Sequence, residues 1–293
     1  MVDVERVIDC QHELGEGPIW HGAESALYWV DIRGKSVERY EPASGHRRSV
    51  RFQTAVTALG LRAENGFVVA TENGFAIWDG ASVSLDVIAH PKRDEAGVRF
   101  NDGGVGPGGE YWAGTMYEGP EVADTPDGRL YRLDAERRVT EMERGLTISN
   151  GIGWSPDRHT MYVTDTLPGI IYAYDYNAEA GEIENRRVLI QVPEGEGFPD
   201  GLTVDSQGCI WSARWGGSKV AKYSPSGELL DELSLPVPHP TSCAFGGEEL
   251  NQLYITSAWM ALDEAQRAHY PLAGDVFRAD VGVRGLPAHT FRG

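Results

Sequence analysis

A short run of aromatic and β-branched residues returns six times along the 293-residue chain, and this constrains the fold more than any other feature. It reads ALYWVDI (26–32), GFVVAT (66–71), GEYWAGT (109–115), TMYVTDT (160–166), GCIWSAR (208–214) and QLYITSA (252–258). Such side chains suit a pleated, largely buried surface, and the Gly, Asp and Asn around them form turns, so each run is a strand. From Tyr28 to Val68, Tyr111, Tyr162, Ile210 and Tyr254 the steps are 40, 43, 51, 48 and 44 residues. That is the period of a four-stranded propeller blade. The repeat predicts an all-β fold, a six-bladed β-propeller of four-stranded antiparallel blades around a central channel, as one domain over 1–293.

Within each unit the strands are lettered A to D, the repeated run being B. C strands follow as SVERYEP, GFAIWDG, GRLYRLDA, IIYAYDY, SKVAKYSP and GDVFRAD. Helical periodicity is confined to a turn or two around Asp263 to His269. Two segments compete for the outer place in the sixth blade: VERVIDC (4–10), which reads as a D strand with no blade of its own, and PAHTFR (287–292).

Composition narrows the partners. Lys plus Arg number 26 against 44 Asp plus Glu, a formal charge of −18, which repels phosphate backbones and anionic lipid. Neither nucleic acid nor membrane is an expected partner, and no obligate protein partner is evident. The chain has no apolar run of about 18 residues and no basic, apolar leader at its start. With three cysteines, Cys10, Cys209 and Cys243, and no metal-ligand spacing among them, the pattern is that of buried thiols in a reducing, cytoplasmic compartment.

Loop lengths distinguish the two faces of the disc. A-to-B and C-to-D links are hairpin-like, whereas the long links 90–99, 117–128 and 258–274 all fall on the face where A strands begin. Long links on one face mark a binding mouth. Four A strands begin there with a polar residue followed by Gly: Glu16-Gly17, Asp102-Gly103 (preceded by Asn101), Asn150-Gly151 and Asp200-Gly201. Because A strands line the channel, Glu16, Asn101 or Asp102, Asn150 and Asp200 should converge at its opening. Oxygen ligands without thiolate or imidazole suit a hard divalent cation such as calcium, magnesium or manganese. Most of the 8 Trp and 12 Tyr are expected in blade packing, with Trp20, Trp154 and Trp215 nearer the channel.

Several local patterns mislead. Gly104, Gly106 and Gly109 match GxGxxG, but a strand follows where a dinucleotide site needs a helix. His12-Glu13 lacks the second His of a zincin, and no GxSxG elbow is present. His239 and His269 are loop histidines that can reach the mouth, but a lone loop histidine is more often solvated.

The motifs LGEGPIW (14–20), YWVDI (28–32), RFNDGGV (99–105), YWAGTM (111–116), ISNGIGWSPD (148–157), MYVTDT (161–166) and FPDGLTVD (198–205) together resemble the regucalcin/gluconolactonase/luciferin-regenerating-enzyme-like family, in its bacterial sugar-lactonase branch. The resemblance runs from about residue 10 to 280. It implies one divalent metal held by Glu16, Asn150 and Asp200, with calcium, zinc, manganese, magnesium and iron not distinguished. It further implies that Arg99 and Asn101 contact substrate oxygens and that Asp200 doubles as general base, while Asp102 and water on the metal are alternatives for that role. Gly119 stands where family members carry a second Glu, which leaves Glu118 as the substrate contact on that side. The implied function is metal-dependent hydrolysis of a sugar lactone such as gluconolactone, galactonolactone, xylonolactone or arabinonolactone to the aldonic acid. The alternative is a non-catalytic, calcium- or partner-binding propeller of the regucalcin type. Hydrolysis of other esters is a third reading.

Overall fold

The structure, a computed structural model, describes residues 2–91, 97–118 and 128–293. Six antiparallel sheets follow one another in chain order. Blade one holds Gly15–His21, Ala26–Asp31, Ser36–Glu41 and His46–Arg51. Blade two holds Val56–Arg62, Phe67–Thr71, Phe75–Trp78 and Asp86–Ala89. Blade three holds Val98–Val105, Tyr111–Tyr117, Gly128–Leu133 and Val139–Leu146, and blade four Ser149–Trp154, Thr160–Asp165, Ile170–Asn177 and Glu182–Gln191. Blade five holds Phe198–Val204, Ile210–Trp215, Lys219–Tyr223 and Leu229–Ser234, and blade six Pro240–Gly246, Gln252–Ser257 and Val276–Asp280. Every A strand touches the A strands of both neighbouring blades, so the inner strands form a closed ring. This is the six-bladed propeller expected from the repeat.

Burial follows from position in the blade. The B strands Ala26–Asp31 and Phe67–Thr71 are buried throughout, whereas the outer strands His46–Arg51 and Leu229–Ser234 bury one residue each. Aromatic side chains of the middle strands fill the wedges between blades: Tyr28 packs on Phe67 with ring centroids 4.7 Å apart, and Phe75 on Phe100 at 4.9 Å. Trp29, Trp78 and Trp112 are fully buried, which accounts for much of the tryptophan content.

Both ends of the chain find places, and they are different places. Val4–Ile8 pairs antiparallel with Val276–Asp280, Val4 opposite Ala279 and Ile8 opposite Val276. The N-terminal strand therefore completes blade six and covers what would otherwise be an open edge. The C-terminal Thr290–Phe291 instead runs parallel to the inner strand of blade two, Thr290 opposite Leu61. Residues 286–289 line a cavity of about 180 Å³ at the channel end opposite the mouth, together with Trp20, Trp154 and Phe245. Phe291 is buried in the wedge between blades two and three.

Of the long links, 258–274 carries a short helix, Glu264–His269, whose start is fixed by a reciprocal cap. The Asp263 carboxylate accepts from Gln266 N–H at 2.8 Å, and the Gln266 side chain accepts from Asp263 N–H at 2.9 Å. The centres of links 90–99 and 117–128 lie outside the described residues, but their roots are tied together where Glu118 N–H donates to Gly97 C=O at 2.6 Å. Cys209 and Cys243 are buried; Cys10 is half-buried, and burial pushes its thiol up to about 12, which favours the neutral thiol. No helix among the described residues is long and apolar enough to cross a membrane.

Truncating Phe291 empties a packed wedge without touching the mouth. Phe291→Ala is expected to lower unfolding stability by about 3–5 kcal/mol, read as a fall in the urea midpoint. A loss under about 1 kcal/mol would mean that the C-terminal strand is not a docked part of the core.

Candidate metal and substrate site

Each A strand departs from regular pairing near its first residues. The register with strand B shifts between Glu16 and Ile19, between Phe100 and Gly103, between Asn150 and Ile152 and between Pro199 and Leu202. A bulge adds a residue on one strand and re-aims its side chain; the four polar-Gly pairs sit on such bulges, which blades two and six form without glycine, between Val56 and Ala58 and between Pro240 and Ser242. Gly17 adopts φ +51°, a left-handed conformation that side chains disfavour, and a Cβ on Gly151 would lie 2.6 Å from the Asp200 carbonyl of the next blade. Glycine there lets blade four approach blade five.

Two buried aspartates at the ends of B strands fix the segments leading into this region. Asp31 Oδ1 accepts from Leu14 N–H at 3.2 Å and Gly34 N–H at 3.0 Å, while Oδ2 lies 3.2 Å from His12 Nδ1. In blade four Asp165 Oδ1 accepts from Thr147 N–H at 2.9 Å and Ile148 N–H at 3.2 Å. Leu14 and Ile148 each stand two residues before a candidate ligand, Glu16 and Asn150 respectively. Burial acts to raise Asp31, but His12 and the two backbone donors outweigh it and hold the carboxyl below its usual range. These aspartates lie in YWVDI and MYVTDT, so their positions were visible in the sequence even though their role was not.

The structure brings Glu16, Asp102, Asn150 and Asp200 together, all buried. Burial, then the neighbouring Asp200 and Asp102, raises Glu16 well above the usual carboxylate range. Asp200 is likewise raised, by burial and by Asp102, against the hydrogen bond it accepts from Asn150. Asp102 is pushed up to about 6 by burial, opposed by the Gly103 N–H. Asn150 Nδ2 is shared between Asp200 and Thr166 Oγ1, the latter at 3.2 Å, whereas Asn150 Oδ1 is buried with no partner. A buried amide oxygen without a donor costs about 1–3 kcal/mol, and buried carboxylates that repel one another add to that cost.

This donor set fits a hard divalent cation. Glu16, Asp200 and the orphaned Asn150 oxygen present acceptors only, and a cation would relieve both the repulsion and the missing hydrogen bond. Among the described residues no group of three or more His, Cys, Asp or Glu side chains is arranged to hold an ion. The third acceptor of this set, Asn150 Oδ1, is an amide oxygen.

A second cluster lies beside the first. Arg99, buried rather than solvated, donates from Nη1 to Asn101 Oδ1 at 2.8 Å and to Phe100 C=O at 2.9 Å. Its Nε donates to Glu118 Oε1 at 3.1 Å. Asn101 Nδ2 reaches Ser149 C=O at 3.1 Å, which ties the two clusters together one residue before Asn150. Burial works against the Arg99 charge and Glu118 supports it. Gly119 lies outside the described residues.

One group was not found by sequence reasoning and another stands differently from its more common reading. Arg33, in the B-to-C turn of blade one, donates to Glu118 Oε1 at 2.5 Å. His239, expected to be solvated, is instead buried and stacked flat on Trp215, with centroids 4.1 Å apart and planes 3° from parallel; burial holds its pKa below the usual value. The expectation for His239 fails because the ring has an apolar partner from the neighbouring blade, which an isolated loop histidine does not reveal. His269 is exposed on the short helix, against Tyr270.

Comparison with known proteins places this geometry in a lineage. The model of the SMP-30/Gluconolactonase/LRE-like region matches residues 14–259. Regucalcin of Gallus gallus is 36% identical over 296 residues, covering 100% of this chain and 99% of the relative. A 6-deoxy-6-sulfogluconolactonase of Pseudomonas putida is 38% identical over 281 residues, 96% of this chain and 95% of its own. A crystal structure of a calcium-binding protein, regucalcin, from Agrobacterium tumefaciens superposes with a TM-score of 0.94 at 28% identity, covering 100% of this chain and 98% of that one. Matched along most of its length by the family model and along its whole length by relatives at about a third identity, the chain belongs to the SMP-30/gluconolactonase/LRE-like family.

Proposed function

We propose that the protein is a metal-dependent lactonase that opens a sugar lactone to its aldonic acid. The observation that carries this reading is the joining of an acceptor-only set, Glu16, Asn150 and Asp200, to a donor-bearing pair, Arg99 and Asn101, through Asn101 Nδ2 and the Ser149 carbonyl. A protein that only stores a cation has no use for a buried arginine beside it. A lactone has both a carbonyl oxygen that gains charge on attack and ring hydroxyls to be recognised. Relatives named as lactonases, including a pentonolactonase of Haloferax volcanii at 37% identity, support the assignment.

Glu16, Asn150 and Asp200 would hold the cation, which when bound would supply Lewis acidity toward the lactone carbonyl and lower the pKa of water. The calcium-binding neighbour supports calcium as one usable ion. Arg99 and Asn101 orient the lactone through its carbonyl and hydroxyl oxygens, with Arg99 already fixed on the Asn101 side chain and the Phe100 carbonyl. Such preorganised donors cost no reorganisation during reaction. Glu118 accepts from a sugar hydroxyl. Asp200 takes the proton of the attacking water, and Asp102, pushed up to about 6, is the group from which that role must be separated.

The test of function is acid release from a panel of aldono-lactones by protein stripped of metal and then resupplied with single divalent ions, with uncatalysed opening subtracted. Turnover restored by metal is expected. Metal binding without acceleration of any lactone or simple ester would favour the non-catalytic regucalcin-type reading. Asp200→Asn, with metal content checked, is expected to lower kcat by about 10²–10⁴; near-wild-type turnover with metal retained would remove Asp200 as base. If Asp102 were the base, Asp102→Asn would abolish the carboxylate limb of the kcat/KM–pH profile of the metal-loaded enzyme; a limb unchanged in Asp102→Asn is the expected result.

A further inference from the structure

We infer that Arg33 is a positioning residue for the substrate's hydroxyl groups, acting through Glu118, an inference that rests on the lactonase reading and assigns one determinant of its specificity. Arg33 belongs to blade one and Glu118 directly follows strand B of blade three, so the contact spans blade two at the mouth. Blade two itself begins its inner strand with Val56-Thr57 and offers no polar-Gly pair there. Arg33 Nη2 and Arg99 Nε both donate to the same oxygen, Glu118 Oε1, at 2.5 Å and 3.1 Å. No donor among the described residues reaches Oε2. The carboxylate is thus held through Oε1 from two sides.

Exposure argues against a role in stability. The Arg33 and Glu118 side chains are 39% and 31% exposed, and ion pairs this wet contribute little to folding. Their effect is geometric. Without Arg33 the carboxylate keeps only the Arg99 Nε contact and can rotate, spreading Oε2 over several directions. A site that accepts from a substrate hydroxyl discriminates strongly against an analogue lacking it. Loosening that acceptor therefore penalises a polyhydroxylated lactone and spares one without hydroxyls. Because Glu118 stands outside the set proposed to hold the cation, this discrimination is separable from metal binding.

The experiment compares D-glucono-1,5-lactone with δ-valerolactone, and in parallel titrates sorbitol into metal-loaded protein by calorimetry, for wild type, Arg33→Ala, Arg33→Lys, Glu118→Gln and the Arg33→Ala/Glu118→Gln double variant. Arg33→Ala is expected to lower the ratio of kcat/KM for the hydroxylated over the bare lactone by about tenfold, mainly through KM. Sorbitol affinity should fall by a similar factor, with partial recovery in Arg33→Lys. In the Glu118→Gln background the Arg33→Ala change should have little further effect, because the two act as one unit. Equal effects on both lactones, or additive losses in the double variant, overturn the inference. A wild type that hydrolyses no lactone but shows the sorbitol coupling overturns the lactonase reading and leaves only the orienting of Glu118 toward a polyol hydroxyl by Arg33; a wild type that shows neither hydroxyl discrimination nor sorbitol binding overturns both.

Discussion

Six inner strands that touch their neighbours all the way round must bring their first residues together about one axis, where little side-chain surface reaches solvent. Any polar group placed there has lost most of its water and needs a partner from another blade. This constraint organises the mouth. Apolar beginnings would satisfy it trivially, as they do in blade two, but four blades instead present Glu16, Asn101-Asp102, Asn150 and Asp200. Their cost in desolvation and repulsion is retained in the fold, and retained strain of this kind concentrates at functional sites. The packed wedges of Tyr28, Phe67, Phe75 and Phe100 supply stability elsewhere.

The polar groups form one connected system. Glu118 joins Arg33 to Arg99, Arg99 joins Asn101, Asn101 reaches the carbonyl of Ser149, and Asn150 donates to Asp200. The path runs from blade one through blades three and four to blade five, at the ends of short, rigid strands. Asp31 and Asp165 anchor two of those strands from behind by holding backbone N–H groups just upstream. A substrate meeting this surface finds acceptors on one side and a fixed guanidinium on the other, which suits a carbonyl flanked by hydroxyls.

What the sequence showed depended on whether the physics was local. Aromatic B strands at a regular step revealed the blades because each strand's own residues determine how it packs. Polar-Gly pairs revealed the mouth because they recur at one position of the repeat, the start of the channel-lining strand, where each strand's own residues place the polar side chain. Arg33 was invisible since its partner lies 85 residues away across a blade, at a separation no repeat dictates. Ring closure was undecided for a similar reason: VERVI and HTF both read as short strands, and only the pairing of Val4 with Ala279 against that of Thr290 with Leu61 separates them. His239 was misjudged because its burial comes from Trp215 of another blade.

The buried carboxylates and the orphaned Asn150 oxygen form an acceptor set that fits a divalent cation. Raised pKa values for Glu16 and Asp200 mean that the metal-free folded protein binds more protons than the unfolded chain above the ordinary carboxylate range. Metal-free stability must then fall as pH rises through that interval, while a bound cation removes the penalty and competes with those protons. Thermal unfolding of stripped protein from pH 5 to pH 8, with and without a divalent ion, measures this directly. The account predicts that the ion raises Tm and that the increase grows with pH; an ion that leaves Tm unchanged, or shifts it equally at every pH, would contradict it.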